Sequence, residues 1–260
     1  MNADQLYAEI IKRGPRSKPI DHVDFNPLTF LQDTMIRHPF VYNYSWAIPS
    51  REAIKEITAF IGSDKCLEVG AGNGLWAFLL KEAGVTIKAT DSYTEHSTLN
   101  TEHECQMWRD MFDGKPSLSI GATGSHGACG SMPQGISKSP PRVDPQGTIK
   151  PVETQSDNIL ERMKLKREDF DLIKRQYVEV EKLDAEDASR KYSDHTCLMV
   201  CWGRCDPYSS FKGSKIVFIG EDDGCTTGPP SEEEWECVKT VPIPRWEGMK
   251  DFVGLYQRKI

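Results

Sequence analysis

The sequence has no run of about 18 to 20 apolar residues, which is what a helix needs to cross a membrane. Its first residues, Met1–Glu9, include acids and lack the basic and then apolar pattern of a secretory signal. None of its 8 cysteines forms a C-x-x-C pair, and no cluster of histidines accompanies them. We therefore expect a cytoplasmic protein with free thiols, no contact with a membrane and no bound metal.

Basic residues are fewer than acidic residues. The chain has 32 Lys and Arg against 39 Asp and Glu, which gives a net charge of -7 and a pI of about 5.5. Such a chain has no overall field that attracts DNA or RNA, so we do not expect a nucleic-acid partner. Its 260 residues, of which 38% are hydrophobic and 27% charged, exclude global disorder and predict one large domain, with or without appendages.

Aromatic residues are absent from residues 113–158, which are instead rich in Gly, Pro, Ser and Thr. This segment cannot bury enough apolar surface to offset the conformational entropy that it would lose on folding. A loop of this length inside a compact domain is normally evidence against the assigned fold. Because its composition differs so clearly from that of the flanking sequence, we interpret it as a flexible insertion at the rim of the fold.

The first residues predict a cap of helical and extended segments. Apolar residues recur there at helical spacing, and Ser50 stands where a helix N-cap is expected. The predicted elements are a helix at Asp4–Lys12, a helix at Phe25–His38, an extended aromatic segment at Phe40–Ile48 and a capped helix from Ser50 to Ile61. We therefore divide the chain into a cap, residues 1–61, and a main domain, residues 62–260, which carries the insertion.

A strand, a loop, a helix and a second strand follow the cap. The apolar run Lys65–Gly70 predicts a buried strand, Gly70–Gly74 a glycine loop and Leu75–Ala83 an apolar helix. The second predicted strand, Val85–Thr90, ends at Asp91. Such a unit predicts a parallel sheet with a right-handed crossover.

The rest of the main domain predicts one helix and five more strands. They are the helix Ile159–Gln176 and the strands Tyr177–Val180, Thr196–Trp202, Lys215–Gly220, Glu236–Pro242 and Phe252–Arg258. The last two strands are too close together for a crossover helix, so we expect them to form an antiparallel hairpin. The predicted fold is thus α/β, with a seven-stranded, mostly parallel sheet, a C-terminal antiparallel hairpin and helices on both faces.

The glycine loop is the first candidate site. Its sequence is Glu68-Val69-Gly70-Ala71-Gly72-Asn73-Gly74. Glycines after a buried strand allow a ligand to approach the backbone closely, and the following helix presents free N–H groups. Dinucleotide-binding enzymes use the spacing G-x-G-x-x-G. Here the third glycine comes one residue earlier, and an acid precedes the first glycine by two residues. In both features the stretch resembles class I S-adenosylmethionine (SAM)-dependent methyltransferases.

The resemblance implies SAM as the cofactor and S-adenosylhomocysteine (SAH) as its product, lying across the carboxyl ends of the first, second and fourth strands. In that family an acid at the position of Glu68 lies near the methionine amino group. An acid at the position of Asp91 accepts hydrogen bonds from the ribose hydroxyls. The further candidates are Asp184 and Ala185 for the adenine, Cys201 and Trp202 beside the transferred methyl group, and Tyr44, from the cap, as a cover for the cofactor.

Each of these residues also has a structural alternative. Asp91 could be a solvated acid at a strand end, and Asp184 could be one of several acids at a helix N-terminus. Trp202 could be a core aromatic, and Tyr44 could serve to pack the N-terminal segment on the sheet. The loop Gly220–Gly228 after the fifth strand is acidic, and it predicts a gate, a site for a cationic substrate or an exposed turn.

Two residues after the fourth strand are the catalytic candidates. Asp206-Pro207-Tyr208 resembles the Asn/Asp-Pro-Pro-Tyr motif of amino-directed methyltransferases, in which a polar side chain and a carbonyl hold the amine. It lacks one proline and begins beyond the predicted strand end. We therefore name Asp206 and Tyr208 as candidates for the acceptor site, with His96 as a further candidate base.

The chain also resembles a group of uncharacterised methyltransferase-like proteins, through Tyr44–Pro49, the Cys-Trp pair of the fourth strand and the Gly-Cys-Thr loop. Together the resemblances predict methyl transfer from SAM to a small-molecule or protein acceptor. The alternative is a catalytically degenerate fold that binds SAM or SAH, or that acts as a protein-interaction module. A dinucleotide-dependent oxidoreductase is disfavoured by the glycine spacing, and the sequence predicts no oligomeric state.

Overall fold

The computed structural model covers most of the chain. It describes residues 1–15, 27–92, 98–113, 164–173, 175–203, 206–222 and 226–260. Almost all of the predicted insertion at 113–158, and the first part of the predicted helix Ile159–Gln176, therefore lie outside the described residues.

Within these ranges seven strands form one mixed sheet. They are β1 (Cys66–Val69), β2 (Ile87–Asp91), β3 (Val180–Lys182), β4 (Cys197–Cys201), β5 (Lys215–Gly220), β6 (Trp235–Pro242) and β7 (Phe252–Arg258). Their order across the sheet is β3-β2-β1-β4-β5-β7-β6. Strands β1 to β5 are parallel, and β7 is antiparallel to both of its neighbours, β5 and β6. The predicted α/β class and the seven-stranded sheet are confirmed.

Helices precede and connect these strands. They are α1 (Ala3–Arg13), α2 (Pro27–Asn43), α3 (Arg51–Ile61), α4 (Leu75–Glu82), α5 (Thr98–Phe112), a short 3-10 helix (Arg167–Phe170) and α6 (Ala185–Lys191). The start of α3 is the one predicted, because the Ser50 hydroxyl accepts the N–H of Ala53 at 3.1 Å. The predicted helix after the glycine loop is α4.

The sheet separates two layers of side chains. Successive residues of β4 point to opposite faces, so that Cys197 and Met199 pack with apolar residues of α1 to α4. Leu198 and Val200 pack on the other face, together with Ala188 of α6. Helices thus lie on both faces, and the predicted cap (residues 1–61) shares one apolar core with the sheet.

The aromatic segment of the cap is partly helical, not extended as predicted. Helix α2 continues through Pro39 to Asn43, and the N–H of Tyr44 donates to the carbonyl of Phe40 at 2.8 Å. Proline disfavours a helix interior because it lacks a donor. Packing explains the difference, since Phe40 is buried and its ring meets Trp246 edge-on at 5.2 Å.

Two other predictions need correction, and one helix was missed. β3 begins at Val180, because the N–H of Tyr177 donates to the carbonyl of Asn73 instead of joining the sheet. In the predicted helix Ile159–Gln176, residues 171–173, 175 and 176 are not helical. Helix α5 was not predicted, although Cys105, Trp108 and Phe112 form a helical stripe in the sequence.

Candidate functional site

The glycine loop follows β1 at the carboxyl edge of the parallel strands. Gly70, Gly72 and Gly74 have φ angles of 70°, 56° and 76°, a left-handed conformation that favours glycine. The N–H of Ala71 donates to the carbonyl of Thr90 at 3.0 Å, so the loop is fastened to the end of β2. The loop is therefore held in a shape that few other residues would adopt.

The three glycines have different surroundings. A Cβ atom at Gly70 or Gly72 would meet no atom within 4 Å, so both positions face open space. A Cβ atom at Gly74 would lie 2.5 Å from the Cγ2 atom of Val178 and 3.2 Å from that of Val180. Gly74 is thus required for packing, whereas Gly70 and Gly72 leave room for a ligand.

Asn73 joins the loop to the cap and to α4. Its side-chain amide donates to the carbonyl of Asn43 at 3.3 Å, and its side-chain oxygen accepts the N–H of Leu75 at the same distance. The hydroxyl of Tyr177 donates to the same carbonyl of Asn43 at 3.0 Å. Sequence reasoning missed Asn43 and Tyr177, which support the loop without belonging to any recognisable motif.

Asp91 stands at the end of β2, beside the loop, as predicted from its position. One oxygen, Oδ2, accepts the N–H of Gly72 at 2.7 Å. Its backbone carbonyl accepts the N–H of Leu183 at 3.0 Å, which brings the turn that contains Asp184 to the same edge of the sheet. The side chain is only partly buried, so the carboxylate is accessible to a hydroxyl-bearing ligand.

Glu68 is a buried acid under the N-terminus of α4. Its exposed fraction is 1%, and its Oε2 atom has no hydrogen-bond partner among the described residues. Burial raises its pKa to about 8, and the neighbouring charge of Asp91 acts in the same direction, against a backbone hydrogen bond from Ala77. The carboxyl group is therefore largely protonated at neutral pH, and an unpartnered polar atom lies beneath the glycine loop.

The chain leaves β4 in a strained turn. Trp202 has φ of 53°, which is rare for a bulky residue, and its N–H donates to the carbonyl of Ile219 at 2.9 Å. Its indole Nε1–H donates to Oδ1 of Asp251 at 3.0 Å. Its ring stacks on that of Trp46, with centroids 5.0 Å apart and planes 18° apart. Trp202 is thus a bridge between the cap and the end of the sheet.

Cys201 lies directly before this turn and is half-buried. Burial raises the pKa of its thiol, and the nearby carboxyl groups of Glu68 and Asp251 raise it further. The thiol is therefore held in its neutral form. Cys201 therefore lies near two buried acids, Glu68 on one side of β4 and Asp251 on the other.

A second pair of acids lies at the ends of β5 and β7. Glu221 and Asp251 have exposed fractions of 8% and 2%, so Glu221 does not belong to an exposed turn. Glu221 Oε1 accepts the N–H of Lys250 at 2.6 Å. Sequence reasoning missed Asp251; the available signal was that an antiparallel strand begins at the edge where its parallel neighbours end.

Three of the predicted ligand residues have other contacts in the structure. Tyr44 is buried in the core with its ring 4.8 Å from that of Phe40, so its side chain presents no surface to a ligand. Asp184 caps α6 by accepting the N–H of Asp187 at 2.8 Å. Ala185 is the first residue of α6, and its side chain packs on the face of the sheet opposite α4.

The two catalytic candidates, Asp206 and Tyr208, have contacts with the segments that follow β4 and β5. Oδ1 of Asp206 accepts the N–H of Tyr208 at 2.8 Å and forms a local turn. The hydroxyl of Tyr208 donates to the carbonyl of Gly228 at 2.8 Å, and its ring packs on the face opposite α4. Both groups are engaged in local structure. His96 lies outside the described residues.

The described residues also form a pocket away from this edge. It has a volume of about 420 Å³ and lies between α1, the segment before α3 and the β6–β7 connection. Its walls are mainly apolar and carry no residue of the glycine loop. We place the candidate site at the carboxyl edge because hydrogen-bonding groups and buried acids converge there, whereas the pocket offers mainly apolar contacts.

Comparisons of the chain with models of protein families, with curated proteins and with solved structures found no match. Across the ranges that the structure describes, no helix is long and apolar enough to span a membrane. The same ranges contain no group of three or more His, Cys, Asp or Glu residues that could hold a metal ion.

Proposed function

We propose that this chain is a SAM-dependent methyltransferase with a class I fold, acting on a small molecule or a protein. The observation that carries the proposal is the glycine loop, in which Gly70 and Gly72 face open space beside the carboxylate of Asp91. The mixed sheet, with β7 antiparallel between β5 and β6, is consistent with that fold.

The residues of this edge suit the chemical groups of SAM. Asp91 offers a carboxylate to the ribose hydroxyls. The unpartnered Oε2 of Glu68 is an acceptor for the methionine amino group, a cation that would lower the pKa of this acid. We assign the adenine to the turn at Asp184, which the bond from the Leu183 N–H to the Asp91 carbonyl brings to this edge, although the side chains of Asp184 and Ala185 have other contacts.

The chain's contribution to the reaction would be mainly to position the two reactants. When bound, SAM would supply a methyl group activated by its sulfonium, for transfer to an O, N or S atom of the acceptor with SAH as the leaving group. Trp202 and Trp46, stacked at the end of β4, would exclude water from the reacting atoms.

A second candidate function is a module that binds SAM or SAH without catalysis. The hydroxyl of Tyr208 and the carboxylate of Asp206 are both engaged in local hydrogen bonds, which favours this candidate. The two functions share the cofactor site and differ in turnover. Release of SAH in the presence of acceptor amines, alcohols and thiols distinguishes them.

We expect the Gly72→Arg variant to bind SAH at least about tenfold more weakly than the native protein, because the added side chain would fill the space above the loop. Calorimetric titration measures this. The matched control is Gly84→Arg, which carries the same substitution at another positive φ, 93°, with open space around it and outside the loop. Equal affinity in Gly72→Arg, Gly84→Arg and the native protein would contradict the proposed cofactor site.

A further inference from the structure

The acid pair Glu221 and Asp251 has no role in the cofactor site described above. Asp251 is 2% exposed, and its Oδ2 atom has no hydrogen-bond partner among the described residues. A buried carboxylate oxygen without a partner is costly, and proteins usually satisfy such an atom with a donor. A donor or cationic group from outside the described residues would satisfy this oxygen of Asp251.

The acid pair lies where a second ligand would bind beside the cofactor. Asp91 and the glycine loop lie at the ends of β2 and β1, and β4 separates them from the acid pair at the ends of β5 and β7. Trp202, at the end of β4, hydrogen-bonds to Asp251. A group held by the pair would thus lie on the far side of Trp202 from the ribose site.

The chemistry of this place suits an amine. Carboxylates accept hydrogen bonds only, and a protonated amine only donates them. Trp202 and Trp46 add aromatic faces, which attract an ammonium group and the alkyl chain that carries it. A metal ion is a weaker match, because the described residues give no group of three ligands here.

We propose that Asp251 and Glu221, with the Trp202–Trp46 pair, form the binding subsite for an amine, which is the methyl acceptor of this protein. The bound ammonium gives one proton to the Asp251 carboxylate, and the nitrogen lone pair that this frees bonds to the methyl carbon as the carbon–sulfur bond breaks and its electron pair stays on sulfur. The inference rests on the proposed function, since it names the acceptor class for the same edge of the sheet. A free alkylamine and a lysine side chain share this chemistry.

Ionisation of Asp251 sets the pH dependence of the subsite. Burial raises its pKa to about 7, and Glu221 acts in the same direction, while the Trp202 hydrogen bond and the guanidinium groups of Arg37 and Arg245 act against them. The other titratable neighbours are Cys201, at the end of β4, and Lys250, whose backbone N–H donates to Glu221. As pH rises through 7, Asp251 becomes an anion while an alkylamine stays protonated, so amine binding strengthens.

The test uses n-butylamine as the probe, with n-butanol as its neutral counterpart, on the full chain saturated with SAH. Tryptophan fluorescence and thermal unfolding report binding. We expect n-butylamine to bind and n-butanol not to bind, with affinity higher at about pH 8.5 than at about pH 6. Asp251→Asn should reduce the affinity for n-butylamine about tenfold or more and remove its pH dependence.

The matched control is Asp194→Asn, an exposed acid before β4, at the opposite edge of the sheet, which should leave n-butylamine binding unchanged. If Asp251→Asn does not fold, Glu221→Gln provides the same measurement. Equal binding of n-butanol and n-butylamine, or native affinity in both acid variants, would overturn the subsite.

The same samples separate this inference from the proposed function. Stabilisation by SAH without any response to n-butylamine overturns the amine subsite alone. A response to n-butylamine without stabilisation by SAH overturns the proposed cofactor site. The role of the amine as methyl acceptor is then overturned as well. Where both bind, spermidine and a lysine-containing peptide compared as acceptors tell a small-molecule source from a protein source.

Discussion

The Gly74→Ala variant is expected to lose about 2 to 4 kcal/mol of the free energy of unfolding. Two costs add. Alanine at the Gly74 φ of 76° adopts a left-handed conformation that its Cβ disfavours. The same Cβ would lie 2.5 Å from Cγ2 of Val178, a branched side chain with few alternative rotamers. Urea denaturation measures the loss.

Two further variants separate these costs. Gly84→Ala places the same residue at a φ of 93° in open space, so it should show the backbone cost without the overlap. Combining Gly74→Ala with Val178→Ala should recover part of the loss, since the second change removes the colliding methyl group. The account of the loop fails if Gly74→Ala is no more destabilising than Gly84→Ala.

The second large effect is expected for Glu68→Gln. The folded-state pKa of Glu68, about 8, lies above its ordinary value of 4.5, so the folded protein keeps a proton that the unfolded chain loses. The associated stability is complete below about pH 4.5 and is lost as pH rises towards 8. Glutamine stays neutral throughout. The variant should therefore exceed the native protein in unfolding free energy by on the order of 3 kcal/mol at about pH 9 and match it near pH 5.

Urea denaturation at a series of pH values gives this comparison directly. Asp251, with a pKa of about 7, also lowers the free energy of unfolding as pH rises, and it does so in both the native protein and the Glu68→Gln variant. The difference between the two curves therefore reports on Glu68 alone. Glu82→Gln, an exposed acid on α4, is the matched control and should follow the native curve. A Glu68→Gln curve parallel to the native one would contradict the burial of an acid beneath the loop.

The parts of the fold that were predicted from the sequence have local patterns. The βαβ unit from Cys66 to Asp91 alternates an apolar run, glycines and an apolar helix over a short stretch, and each part is confirmed within two residues. Strand β5 matches its predicted bounds for the same reason, and the bounds predicted for the antiparallel strand β7 also match. Buried strands in a parallel sheet are continuous apolar runs, which stand out in a sequence.

The parts that were missed depend on distant contacts. Helix α2 passes Pro39 because Phe40 packs on Trp246, some 200 residues away in the chain. Helix α5 is completed by Phe170, which contacts Trp108 and Phe112 at 6.1 and 5.6 Å between ring centroids. Neither partner is visible in the local pattern, so propensity alone gave the wrong answer.

The candidate site divides in the same way. The loop and Asp91 could be located because their spacing follows from the order of strand, turn and helix. Asp251 was missed, although the predicted antiparallel strand that begins at Phe252 places it at this edge, because its contact with Trp202 exists only in the folded chain. Tyr208 was selected from a three-residue likeness, and its ring packs on the face of the sheet opposite α4.

The most direct test of the central claim, a SAM site at the carboxyl edge of the sheet, is thermal unfolding with SAM, SAH and NAD, each at about 1 mM. A ligand present at about 100 times its dissociation constant adds about 2.7 kcal/mol to the free energy of unfolding, a rise of a few degrees for a chain of this length. We predict such a rise with SAM and with SAH and none with NAD. No rise with SAM or SAH, or a rise with NAD alone, would contradict it.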